Sequence, residues 1–151
     1  MLLENNGGLE MDEYVELLEK KRKENEQYLE IFKKDLQTQR LKDKTIEKHI
    51  FNIDFYINDF LNYYDIQNMP EGCYDIDTFL GDWFIRKASW SSSANIKANA
   101  ASIKKFYKSM LNHDFVKLED YNFLCLTIKE DMERWLLNLK EYETENEDDF
   151  Y

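Results

Sequence analysis

The sequence is poor in residues that break or cross-link a chain. It has one proline, Pro70, and four glycines, at positions 7, 8, 72 and 81. So few breakers leave long stretches free to be helical, and the abundance of Lys, Glu and Leu favours helix over sheet. There are two cysteines, Cys73 and Cys125. Neither belongs to a CxxC or Cys/His cluster, which excludes the ligand spacing of a zinc site. Cys125, inside the apolar run Phe123–Leu126, is expected to be a buried thiol, and Cys73, after a turn, a loop thiol. Unpaired thiols suit a reducing cytoplasm, the expected location. No apolar run approaches the length of a membrane span, and the first residues are acidic where a targeting peptide would be basic. No membrane partner is expected.

Catalytic motifs are also missing. With glycines only at 7, 8, 72 and 81, no glycine-rich phosphate loop can form. Gly81 falls within a helical pattern and is expected to permit close packing. His49 and His113 are the only histidines, and neither neighbours a nucleophile in a triad motif. Carboxylates abound, but in so acidic a chain pairs such as Glu130–Asp131 and Asp148–Asp149 are expected to be solvated charge. The chain is expected not to be an enzyme and to need no cofactor or metal.

What is present is aromatic bulk and unevenly placed charge. Ten Tyr, ten Phe and three Trp in 151 residues provide a dense core for one domain without disulfides. The net charge of −11 argues against indiscriminate nucleic-acid binding. Yet Trp83–His113 holds Arg86, Lys87, Lys97, Lys104, Lys105 and Lys108 with no acid. Ile31–Lys48 holds Lys33, Lys34, Arg40, Lys42, Lys44 and Lys48 against three acids. These windows carry +6 and +3, so the remainder carries −20. Segregation of this kind is more informative than the total.

The periodicity predicts helices throughout and no strand. A leader, Met1–Gly8, is expected to fray. From Glu10 to Gln39 runs one helix, or two if the polar stretch Glu19–Gln27 holds a break. Residues 1–24 are read as an acidic leader and add-on helix, 25–140 as the compact domain, and 141–151 as a solvated acidic tail. Asp43 or Thr45 is expected to cap the second helix, whose Ile46, Ile50, Ile53, Ile57, Phe60 and Tyr64 recur at spacings of 4, 3, 4, 3 and 4. Turn residues Asn68–Gly72 end it. Asp75 or Asp77 caps a short third helix with Ile76, Phe79, Leu80, Trp83 and Phe84 inward. A serine loop precedes a fourth helix with Ile96, Ala100, Ile103, Tyr107 and Met110 inward. Its other face carries Lys97, Lys104, Lys105 and Lys108. Two further short helices follow, one with Leu118, Tyr121, Leu124, Cys125 and Ile128, the other with Met132, Trp135, Leu136 and Leu139. Short connections imply a bundle of four or five helices, orthogonal or up-and-down, with an extra N-terminal helix.

Tyr28–Leu111 resembles the N-terminal core-binding domain of tyrosine recombinases and phage integrases. The likeness is carried by the order of its pieces. A helix over Tyr28–Leu36 and a polar loop lead to Lys44–Thr45–Ile46, which opens a long helix ending Asn58–Asp59–Phe60–Leu61–Asn62–Tyr63. A short helix begins at Ile76–Asp77–Thr78–Phe79–Leu80. After Ser91–Ser92–Ser93 a fourth helix ends Ala100–Ala101–Ser102–Ile103–Lys104–Lys105–Phe106–Tyr107–Lys108–Ser109–Met110–Leu111. The resemblance implies an orthogonal, SAM-like helical bundle that lies on one face of duplex DNA.

In that family a separate domain supplies the catalytic arginine, lysine, HxxR motif and tyrosine. His49 is followed by Ile50–Phe51–Asn52 and His113 by Asp114–Phe115–Val116, so neither opens an HxxR, and Tyr151 lacks basic neighbours. The expected function is therefore non-catalytic DNA binding in, or in control of, site-specific recombination. The expected contacts are Lys42, Lys44, Thr45, Lys48, Arg86, Lys87, Ser91, Lys97, Lys104, Lys105 and Lys108. The partners implied are double-stranded DNA and a recombinase catalytic subunit. Two alternatives stand beside this. The lysines can simply form a solvated helix face, and the acidic balance can mark a module that binds another protein instead. Trp90, beside Arg86 and Lys87, either stacks on the DNA backbone or folds onto the edge of the bundle.

Overall fold

The computed structural model describes the backbone of residues 2–148 and the side chains of residues 10–146. All regular structure among them is helical. The first helix, α1, spans Leu2–Thr38 without a break. The leader expected to fray thus has helical backbone from Leu2, and the polar stretch over 19–27 continues the helix. That stretch is built mostly from Glu, Lys, Arg and Gln, good helix formers that stay solvated. Its one buried side chain is Asn25, whose Nδ2 donates to Asn58 Oδ1 at 2.8 Å and to the Ile57 carbonyl at 3.3 Å. Beyond Asn25, Phe32 and Leu36 enter the core. The helix closes at Arg40, whose φ of 62° lets the Leu41 amide turn back to the Leu36 carbonyl.

The second helix, α2, begins at Asp43 and is α-helical over Asp43–Asp54. Lys42 occupies the capping position and makes no side-chain cap. Asp43 is already helical and Thr45 lies within the first turn, so neither caps the helix as expected. The last turns, Phe55–Phe60, widen into a π-helix, in which the three consecutive residues Tyr56, Ile57 and Asn58 are all buried. Ile46, Ile53, Ile57 and Phe60 are buried as the spacing predicts, with Ile50 at the margin. Tyr64 is not: the wide turn ends the helix at Phe60 and leaves Tyr64 64% exposed.

The turn expected over Asn68–Gly72 is a 3-10 turn, Met69–Cys73. Two buried phenols clamp it. Tyr56 Oη donates to the Gly72 carbonyl at 2.6 Å and Tyr107 Oη to the Met69 carbonyl at 2.7 Å. A Cβ on Gly72 would lie 2.0 Å from Tyr107 Oη, so only glycine fits. This clamp buries Cys73, expected in an open loop, and the burial pushes its thiol up to about 12. Cys125, expected to be buried, is only half-buried.

The third helix, α3, covers 76–87 and contains a second π-helical stretch, Phe79–Trp83. Asp75 stands at its N-cap without a capping bond. Asp77 instead receives the Trp135 Nε1–H at 2.7 Å and pairs with Arg134. Helix α4, Ser93–Asn112, is capped by Ser92 Oγ, which accepts from the Asn95 amide at 3.1 Å. It ends at Asp114, whose φ of 64° resembles that of Arg40.

One helix, α5 (Leu118–Asp148), replaces the two short helices and much of the expected tail. The polar residues Lys129–Asp131 are no break, and Asp131 lies 3.5 Å from Arg134 one turn later. Glu141, Glu143 and Glu145 are exposed on this helix. The remaining tail charges, Glu147, Asp148 and Asp149, fall outside the described side chains. Helix α1 packs on α2, α2 on α4, α4 on α5 and α5 on α3, around one core that includes Ile53, Ile57, Phe79, Trp83, Ile103, Tyr107 and Trp135. Among the described residues no helix is long and apolar enough to cross a membrane.

Candidate nucleic-acid interface

The inward stripes of α2 and α4 fix what their outer faces present. With Ile96, Ala100 and Ile103 buried, α4 exposes Ala94, Lys97, Ala98, Ala101, Lys104, Lys105 and Lys108. Between this face and α2 lies a groove of about 690 Å³. Lys44, Thr45 and Lys48 line it from α2, and Ala94, Ala98 and Ala101 from α4. Phe51 and Trp90 also line it. A second groove of about 620 Å³, the lower groove as against the upper α2/α4 groove, lies between α4 and the end of α1 and is lined by Lys104, Lys105, Lys108, Asp35 and His113. Ala101 lines both, so the two grooves flank one ridge.

The lysines of this surface are exposed, and none forms an ion pair among the described residues. Lys108 lies 5.4 Å from the Tyr121 ring centroid. The acid in the lower groove is already engaged: Asp35 accepts from Ser109 Oγ at 2.5 Å and lies 3.0 Å from His113 Nε2. Glu47, exposed in the upper groove, opposes an anion there. Fixed positive charge with little local compensation draws polyanions and releases their counterions.

A small polar network lies beneath the upper groove. His49 Nδ1 is 2.8 Å from Ser102 Oγ, which also accepts from Asn52 Nδ2 at 3.0 Å. If Ser102 donates to Nδ1, the proton of the neutral ring is on Nε2. Burial first, and Lys105 second, hold His49 below its ordinary range. The pair has the spacing of a base and a nucleophile, but Ser102 is only 1% exposed, so its hydroxyl cannot meet a substrate. Its role is to orient the ring and join α2 to α4.

The expected site residues divide into three groups. Lys44, Thr45, Lys48, Lys104, Lys105 and Lys108 line the two grooves. Lys97 is exposed on α4 outside both, and Lys42 is exposed at the start of α2. Arg86, Lys87 and Ser91 lie elsewhere, around the end of α3. Arg86 is held by both oxygens of Asp82, at 2.9 and 2.8 Å. Lys87 sits 5.4 Å from the Tyr63 ring centroid, and Ser91 Oγ donates to the Ile85 carbonyl at 3.3 Å. Trp90 folds onto the bundle edge, with its ring centroid 5.1 Å from Phe55 and 6.1 Å from Phe51, yet remains 40% exposed.

Sequence reasoning missed Phe51, His49, Asn52 and Ser102. Position 49 adjoins the apolar stripe through Ile46, Ile50 and Ile53, a signal that it faces a neighbouring helix. Its partner Ser102 lies 53 residues away, beyond any local pattern. Comparison of the chain with protein-family models, with curated proteins and with solved structures gives no match, and these comparisons assign it to no family.

Proposed function

We propose that this protein is a non-catalytic module that binds duplex DNA through α2 and α4, in the manner of the tyrosine-recombinase core-binding domain its sequence resembles. It acts in, or regulates, site-specific recombination. The observation that carries this reading is the convergence of Lys44, Lys48, Lys104, Lys105 and Lys108 on two adjoining grooves with no ion-pair partner among the described residues. On this reading the helices form an orthogonal, SAM-like bundle whose α4 ridge approaches the phosphates. The surrounding −20 of charge makes the binding weak and the salt dependence diagnostic.

If each of those lysines neutralises one phosphate, log K falls with log salt with a slope of about −4.5. Fluorescence anisotropy of a random duplex across a salt series measures it. Replacing Lys104 and Lys108 by Glu abolishes binding while helicity by circular dichroism is unchanged, because both side chains are in solvent. A Lys104→Glu/Lys108→Glu protein that binds as the parent does removes the DNA reading. A second reading, a protein-binding module, draws on the outer residues of α5, where Leu118, Leu126 and Leu137 are each more than half exposed.

A further inference from the structure

The face of α1 that packs into the bundle does not stop where the bundle stops. Phe32 and Asn25 are buried, and one heptad apart the same line continues through Leu18 to Met11. Tyr14 and Val15 flank it, at the spacing of a helical stripe. Outward of Leu18, which is half-buried, nothing among the described residues covers the stripe: Met11 is 62% exposed, Val15 45% and Tyr14 39%. The same ten residues, 10–19, carry Glu10, Asp12, Glu13, Glu16 and Glu19 and no base. This arm is an acidic amphipathic helix with an unpartnered apolar face.

The α2/α4 groove is its complement. Three alanines and the edges of Phe51 and Trp90 give it apolar lining, and on its walls Lys44 and Lys48 outweigh the single acid Glu47. Small side chains let a helix approach closely, and lysines answer its carboxylates. The arm cannot reach the groove of its own chain. Asn25 is level with Ile57, near the far end of α2, whereas Lys44 and Lys48 lie at the start of α2. Met11 is about 21 Å further out along an unbroken helix. The occupant must therefore come from another molecule.

We propose that residues 10–19 of a second copy lie in the α2/α4 groove, and that two chains side by side and antiparallel exchange arms to form a closed dimer. The dimer covers the lysines that would otherwise face DNA, so the acidic arm holds the place of the nucleic acid. The self-association stands on its own surfaces. Only its effect on DNA rests on the function proposed above.

Sedimentation velocity of the full chain at low and high salt tests the proposal. A dimer at low salt that dissociates in high salt is expected. Val15→Glu, at an exposed position, gives a monomer of unchanged helicity. Lys44→Glu/Lys48→Glu also gives a monomer, and adding Glu13→Lys/Glu16→Lys restores the dimer. A parent monomeric in every condition overturns the proposal. So does a dimer that survives Val15→Glu, or a pair of charge reversals without rescue. Duplex binding by the Val15→Glu monomer is read separately. If nine-tenths of the parent is masked, unmasking tightens apparent affinity about tenfold. A Val15→Glu monomer that binds no duplex leaves the dimer standing and removes the DNA reading alone.

Discussion

Gly81→Ala pits two effects against each other, and the structure says which wins. Gly81 lies in the π-helical stretch of α3, where alanine's better helix propensity would favour the variant by up to about 1 kcal/mol. Against that, an added Cβ would stand 2.9 Å from Trp135 Cδ1 and 3.2 Å from Trp135 Nε1. Trp135 cannot easily yield. It is fully buried, its Nε1–H is committed to Asp77 at 2.7 Å, and the next turn of α5 is tied to the same spot by Asn138 Nδ2 donating to the Gly81 carbonyl at 2.9 Å. Forcing a methyl into a packed contact costs about 1–3 kcal/mol, so the net loss is up to about 2 kcal/mol. Urea denaturation followed by circular dichroism measures it. The coupling is measured in a double-mutant cycle, where Gly81→Ala costs less in a Trp135→Leu background. A Gly81→Ala protein more stable than the parent, or equal costs in both backgrounds, would refute the seating of α5 on α3.

Other expectations concern the core, the caps and titration. Ile53→Ala, at a fully buried site shared by α2 and the core, lowers stability by about 2–5 kcal/mol in the same denaturation assay. Arg40→Gly relieves a left-handed backbone and raises the unfolding free energy by at most about 1 kcal/mol, read as a higher urea midpoint. By NMR, the His49 ring titrates below 6.5, and Lys105→Ala moves that midpoint upward. Because the folded protein binds the His49 proton less readily than the unfolded chain, this group's share of stability is full above pH 6.5 and is lost as pH falls below it. Tyr56 and Tyr107 act at the other end. Burial raises both, so their contribution is intact below pH 10 and declines as pH rises past it.

The parts of the fold that were legible in the sequence are those governed by a single period. The stripes of α2 and α4 named Ile46, Ile53, Ile57, Ile103 and Tyr107 as core because an α-helix repeats its face every 3–4 residues. The reading failed where the period changes or where polarity was taken for a break. At Phe55–Phe60 the helix widens and leaves the stripe, so Tyr64 was misplaced. At residues 129–131 the polar stretch is helix with water on most sides, and over 19–27 the first of the two readings left open, one solvated helix, is the one the structure has. The caps misled because Asp43 and Asp75 stand near helix starts without using their carboxylates there. At the interface, local pattern found the lysines of α4 but could not tell which cations were free. Arg86 has an acid four residues earlier, a legible pairing. The approach of Lys44 and Lys48 to α4 depends on how two helices cross, which no short window encodes.

The uninterrupted course of α1 has a mechanical meaning. Its outer turns over residues 10–17 are exposed, while its inner end sets Phe32 and Leu36 into the core and Asp35 beside His113. Residues 11–36 form a rod of about 38 Å, and a tilt of about 5° about Asn25 displaces Leu36, about 17 Å away along the axis, by about 1.4 Å. Whatever grips the outer turns therefore works as a hand on a lever. It shifts one wall of the groove that holds Lys104, Lys105 and Lys108, with Asn25, bonded to α2, as the fulcrum.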